Sequence, residues 1–476
     1  MSSNVAYSIL ASVLASANLG RRFWVVAGHA DGGYLDHVFV VLKRLGFTRV
    51  ENGSDWSLMW HHDYPFLREN VKPVLRALKP YQRVNHVPGS GFYTSKVELA
   101  TSNVTRGIPP AFSLPEHKQR FLAFAKSHPD KMWVQKSNMH RGIKITKLDE
   151  LDLGQQNSFV QEYIARPLLV DKRKFDIGIY TIITSVKPLR VYIYEGDVLL
   201  RFCPAEYYPF DATNVDKYVV GDDYKPVWKV GPLAKYYSEL DFTFKQSLTA
   251  YLRERNLDAE KIWSGIRDTI SQVLMAKAKD MQSLLPAYKN SGAFFELSRF
   301  DFVVDEDLNV SLMEANMSPN LSSGHFPPNK LLYEQVLANL FSVTGVADAT
   351  LMHHPDFSSA SARAMLASDK DISVFPADCA SETCSRCSDE LLVCSLCKPC
   401  RSVELTAALK AAFREHVGRR STRRVVPFPL GSRPPPPSEL ERRVLAAVRD
   451  RQLGRVDELQ HLWFLGKCAQ DYAWCS

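Results

Sequence analysis

The segment FELSRFDFVVDEDLNVSLMEANMS, Phe295 to Ser318, decides how the chain is read. Two apolar runs flank the polar stretch from Glu306 to Asn309, a pattern that predicts a hairpin. With the turn there, Asp305 is expected opposite Val310 and Asp301 opposite Glu314. Directly opposed residues of an antiparallel pair point to the same side of the sheet. Asn316, two residues beyond Glu314, shares that side. The segment therefore predicts one cluster of oxygen ligands, Asp301, Glu314 and Asn316. Carboxylates that face one another repel unless a cation lies between them. A few hard oxygen donors suit Mg²⁺, which keeps waters and phosphate oxygens in its own shell. The plainer alternative is that one carboxylate is protonated or paired with Arg299.

Three further segments surround this hairpin. In KFDIGIY, Lys174 to Tyr180, period-2 alternation puts Phe175, Ile177 and Ile179 on one face. Lys174, Asp176, Gly178 and Tyr180 take the other. A half-exposed strand with a cross-strand ion pair would give the same pattern. In WVQKSNMHRGIKI, a strand ending near Lys136 runs into a loop containing Arg141 and Gly142, which suits a phosphate clamp. FVQEYI, Phe159 to Ile164, reads as a strand that can offer its backbone to a base. GSGFYTSK, from Gly89, is a weak glycine-rich loop, and no Walker A pattern occurs. Residues 22–50 read as strand, helix, strand; residues 159–210 are strand-rich; residues 234–285 are mostly helical. The fold class expected is α/β.

Taken in chain order, these segments resemble the tubulin tyrosine ligase-like family, whose fold is ATP-grasp. DWSLMW (Asp55–Trp60) and VNHVPGS precede the nucleotide segments, and the resemblance spans about residues 36–345, nearest the polyglutamylase branch. It implies that Lys136 and Lys174 contact ATP phosphates, with Arg141 and Gly142 in the loop between. Gln161, Glu162, Tyr163 and Ile164 would form the adenine hinge. Asp301, Glu314 and Asn316 would hold Mg²⁺. Arg201 would position phosphate or acceptor, with Asp176 beside it as catalytic partner and ATP neighbour. The reaction implied joins free glutamate to a carboxylate of an acidic tubulin tail through an acyl phosphate, in the cytoplasm and on microtubules. The sequence departs from the family pattern in three places, the mildest being Lys136-Ser137 for a lysine-proline pair. Gly178 stands where relatives usually carry arginine, and Val220, Gly221, Asp222 and Asp223 replace a His-Leu-Thr-Asn segment. The alternative function is thus a protein of the same fold that binds nucleotide and tubulin without transferring an amino acid.

Composition bounds the rest. The 476 residues are 45% hydrophobic and 23% charged, with a net charge of +7. Residues 401–455 hold thirteen Lys/Arg against five Asp/Glu, so the remainder is close to neutral. That distribution argues against a general nucleic-acid binder and for a neutral body with a basic helical tail facing an acidic partner. VELTAALKAAFREHV and SELERRVLAAVRDRQL are the helices expected in the tail. Five segments are expected: 1–35, the body 36–345, a linker 346–378, a cysteine cluster 379–400 and the tail 401–476. Cys384, Cys387, Cys394 and Cys397 form two CxxC knuckles able to bind Zn²⁺. The rival is a disulfide knot, which would place the protein in an endomembrane lumen if the apolar stretch from Val5 to Leu19 is a signal. That stretch is more simply a buried helix. No run of apolar residues is long enough for a membrane span.

Overall fold

The computed structural model describes residues 21–28, 33–51, 54–102, 104, 106–137, 144–146, 148–348, 364–387, 391–429, 442, 446 and 453–476. The Val5–Leu19 helix, Arg141, Gly142 and most of the SELERRVLAAVRDRQL helix lie outside the described residues.

The strand–helix–strand opening is present. Strands β1 (Arg22–Val26), β2 (Thr48–Val50), β3 (Leu58–His61) and β4 (Arg83–Val84) form a parallel sheet in the order β2-β1-β3-β4. Helix α1 (Asp36–Arg44) connects β1 to β2 and buries Val38, Val41 and Leu42, the i, i+3, i+4 stripe of an amphipathic helix. A second sheet is antiparallel, in the order β5-β8-β6-β7: β5 (Ala111–Leu114), β6 (Trp133–Ser137), β7 (Lys144–Thr146) and β8 (Ser158–Glu162). Helix α2 (Lys96–Ala100) precedes it, and α3 (Lys118–Ser127) follows β5.

The central sheet is built on β9 (Phe175–Val186), twelve residues of which all but one are buried. β10 (Leu189–Tyr194) and β11 (Leu199–Phe202) pair with one edge of β9, and β12 (Glu296–Val304) with the other. β13 (Val310–Asn316) closes the hairpin on β12. Both faces of β9 and β12 are covered, so the half-exposed strand expected at Lys174–Tyr180 is replaced by a buried one. The helices expected in residues 234–285 are α4 (Gly231–Glu239), α5 (Phe244–Glu254) and α6 (Ala259–Leu284). Thr243 and Gln246 close a capping box on α5, and α6 lies against the central sheet. Helix α7 (Asn329–Val343) packs on α1.

The tail departs from the helical expectation. Helix α8 (Val403–Gly418) forms as read, but Thr422–Val426 is a strand, β14, paired antiparallel with β10. Helix α9 (Arg455–Gln470) then lies across the β9–β10 turn. Asp457 accepts from the Leu189 amide at 2.8 Å, and Gln460 donates to the Leu189 carbonyl at 3.1 Å. Arg190, 4% exposed, gives Nε and Nη2 to Glu415 at 2.7 and 2.8 Å. Several tail cations are therefore spent inside the fold. Arg424 is fully buried over the Phe464 ring, and Lys410 pairs with Asp369 at 2.7 Å.

The zinc reading is overturned. Cys379 is bonded to Cys397, Cys384 to Cys394, and Cys387 to Cys400, with Cα separations of 4.7–5.4 Å. Each knuckle sulfur is thus committed to a disulfide and is not a thiolate ligand. Cys468 and Cys475 form a fourth bridge, leaving Cys203 free and buried. Three bridges within 22 residues staple a segment too small for a core of its own. Among the described residues no group of three or more His, Cys, Asp or Glu is placed to hold a metal, and no helix is long and apolar enough to cross a membrane.

Candidate active site

One face of the central sheet gathers most of the candidate residues. Pairing of β9 with its neighbours sets Arg201 opposite Asp176, Asp301 opposite Gly178, and Glu314 opposite Asp301. Arg299 and Asn316 are opposed one step along. The expected Asp301–Glu314 register is present, but by a different route. Val304, not Asp305, faces Val310, and a bulge between Asp301 and Phe302 adds the missing residue. A bulge turns side chains on one strand and is common beside functional sites.

Within this face the charges are closely bonded. Arg201 forks onto Asp176, Nε to Oδ1 at 2.9 Å and Nη2 to Oδ2 at 2.7 Å, and reaches Asp301 at 3.1 Å. Arg299 forks onto Asp301 at 2.6 and 2.8 Å. The Asn316 amide sits between Asp301 (3.3 Å) and Glu314 (3.2 Å), and Lys96 on α2 pairs with Glu314 at 3.1 Å. Burial would raise the Glu314 pKa, but Lys96 and Asn316 outweigh it and hold it down to about 2. Asp176 is raised by burial and by the charge of Asp301, against the pull of Arg201.

Two cations differ from the rest. Lys136, on β6, donates to the neutral Gln161 at 2.9 Å. Lys174 lies 4.8 Å above the Tyr163 ring. Neither makes an ion pair with a carboxylate among the described residues. Burial lowers the pKa of each to about 8, with Lys174 lowering Lys136 further. Five cations (Arg201, Arg299, Lys96, Lys136, Lys174) thus stand over three carboxylates (Asp176, Asp301, Glu314). A largely buried site with surplus cation among its described residues lacks an anion.

At the candidate hinge, Glu162 is ion-paired to Lys131, and the Tyr163 amide donates to the Met132 carbonyl at 2.8 Å. The Tyr163 hydroxyl meets that of Tyr207 at 3.1 Å, and Ile164 is partly exposed. Asp222 and Asp223 are exposed in a loop after Tyr218. Lys96 was missed from sequence. Its only signal was the weak loop GSGFYTSK, whose helix N-cap, Ser95, turns the lysine toward the hairpin.

Residues 75–352 match the Tubulin-tyrosine ligase family. A probable tubulin polyglutamylase of Caenorhabditis elegans is 45% identical over 94% of this chain and 85% of its own length. A tubulin polyglutamylase of Homo sapiens is 28% identical over 59% of this chain, and a tubulin monoglutamylase of Mus musculus 26% identical over 64%. The chain spans only 33% and 26% of those last two relatives.

Proposed function

Because this chain belongs to the tubulin-tyrosine ligase family, with that family's ATP-grasp fold, we propose that it is an ATP-dependent ligase of the polyglutamylase branch. It adds glutamate to a glutamate side chain of an acidic protein tail. The observation that carries this is the surplus of cation: among the described residues Lys136 and Lys174 have no ion-paired carboxylate, and a polyphosphate supplies the missing anion. The names of its relatives make tubulin the first acceptor to test.

In this reading Lys136 and Lys174 bind ATP phosphates, and the backbone from Gln161 to Ile164 lines the adenine. The family resemblance assigns Arg141 and Gly142 to phosphate binding as well. Asp301, Glu314 and Asn316 fit Mg²⁺ by donor chemistry. They carry hard oxygens on one face, and Glu314 stays ionised to about pH 2. Asp301 already accepts from Arg299 and Arg201, and Asn316 turns its amide nitrogen to both carboxylates, so Glu314 is the ligand most open to the metal. Bound there, the metal screens charge on the triphosphate. The acceptor carboxylate attacks the terminal phosphoryl group, releasing ADP and leaving an acyl phosphate. The glutamate amine, having lost a proton, then attacks the acyl carbon, and phosphate leaves. Arg201, fixed by its fork on Asp176, is preorganised where this negative charge accumulates. Purified protein, ATP, Mg²⁺, glutamate and tubulin are expected to give glutamate mass increments on the tubulin tails. ATP binding without any amino-acid increment would establish the non-transferring alternative.

One observation favours a second reading of the acceptor. Disulfides persist in oxidising compartments, and this chain carries four. On that reading the acidic acceptor is a protein of an endomembrane lumen rather than cytoplasmic, microtubule-bound tubulin. Fractionation of cells, with the glutamate increments mapped in each fraction, separates the two.

A further inference from the structure

Gly178 lies in the middle of the central strand, where glycine packs nothing and weakens the sheet. Its φ is not in the left-handed region, so backbone conformation does not require it. Space does. A Cβ at 178 would stand 2.9 Å from Arg299 Cδ, 3.1 Å from Asp301 Oδ1 and 3.2 Å from Leu199 Cβ. The notch left by the absent side chain is filled by the stem of Arg299. That residue starts from β12 opposite Tyr180, one step along, and runs diagonally across Gly178 to reach Asp301. Arg299 uses Nε and Nη2 on Asp301, and its Nη1 bonds no described residue. Arg201 is held in the same way, its Nε and Nη2 engaged and its Nη1 bonding no described residue. Two guanidinium groups thus stand side by side, each pinned along one edge by a carboxylate.

We propose that Arg299 is an anion-binding residue of the site, delivering from β12, across the notch at Gly178, the guanidinium that binds the terminal phosphoryl group of ATP. Asp301 fixes the fork, and Nη1 donates to the phosphate. A planar guanidinium suits this because its donors bind an acid on one edge and a phosphate on another. Glycine at 178 and arginine at 299 are then one device: each requires the other. The inference rests on the ligase reading for the identity of the anion.

The test compares ATP and ADP affinity, without acceptor, for the wild type, Arg299→Ala, Arg299→Lys and the relocated pair Gly178→Arg with Arg299→Gly. Arg299→Ala is expected to lose about ten- to a hundredfold in ATP affinity, the range of a charge-assisted hydrogen bond, with ADP affinity nearly unchanged. Arg299→Lys falls between, and the relocated pair regains most of the preference for ATP. Equal losses for ATP and ADP, or an unchanged preference in Arg299→Ala, overturn the proposal. If Arg299→Ala does not fold, the relocated pair decides alone: a folded pair without preference for ATP overturns it. A wild type that prefers ATP but transfers no amino acid sinks the ligase reading and leaves Arg299 as assigned. A wild type that binds no ATP overturns both.

Discussion

Lys136 and Lys174 are held charged at a cost the fold offsets only in part, since burial pulls both toward about 8, Glu314 and Asp176 pull back weakly, and neither lysine makes an ion pair among the described residues. Their folded pKa lies below the ordinary lysine value. They are therefore protonated below about pH 8 and lose charge as pH rises through it. If they bind phosphate, ATP affinity falls over that interval, while ligand already bound stabilises the charged form and moves the midpoint upward. Titrating ATP affinity between pH 7 and about 9.5 checks this, and a flat profile denies these lysines the role. The same imbalance predicts opposite effects for Lys174→Met. ATP affinity drops, whereas the empty protein gains about 0.5–2 kcal/mol, because an unpaired buried cation is replaced by an apolar chain of similar length. Melting curves with and without ATP show both effects in one experiment.

At the scale of elements, the hairpin was legible and its detail was not. The turn residues Glu306–Asn309 and the spacing of Glu314 and Asn316 were enough to bring Asp301 to Glu314. The bulge that achieves it is an extra residue, Met313, on β13, and strand alternation does not encode it. Arg299 was visible only as a rival partner for a carboxylate. Its diagonal course requires the glycine on a strand more than a hundred residues away. Strand β14 was hidden for a related reason. TRRVV places Arg424 where a buried position is expected to be apolar, and the aromatic face that receives it comes from α9. The link between α8 and β10 makes a firm prediction. Glu415→Gln leaves Arg190 buried without its counter-charge, and such a broken pair costs about 3–5 kcal/mol. Chemical denaturation measures it, and a loss under about 1 kcal/mol would mean that water reaches the arginine.

Over the whole molecule, the near-neutral body and basic end read from composition do not correspond to a body and a free tail. Ile372, Val374, Leu405, Leu409, Trp463, Phe464 and Trp474 form a second core beneath the disulfide knot, and this unit grips the β9–β10 turn. Cysteine spacing alone left zinc and disulfides open, since both use close pairs. Only the three-dimensional partners, Cys379 with Cys397 and Cys387 with Cys400, distinguish them. Thiol counting gives a direct check. Unfolded without reductant, the protein is expected to show about one thiol per chain, Cys203, and nine after reduction. Four or more before reduction would contradict the pairing. The seam between β10 and β14 has one more consequence. A sheet ends in unsatisfied amides and carbonyls, and here strand β14 covers those of β10. A chain cut after Cys400 would carry every residue assigned to the chemistry yet bare the rim of β10, and an open rim recruits its like. The shortened protein would self-associate, and its inactivity would report aggregation rather than a tail required for catalysis.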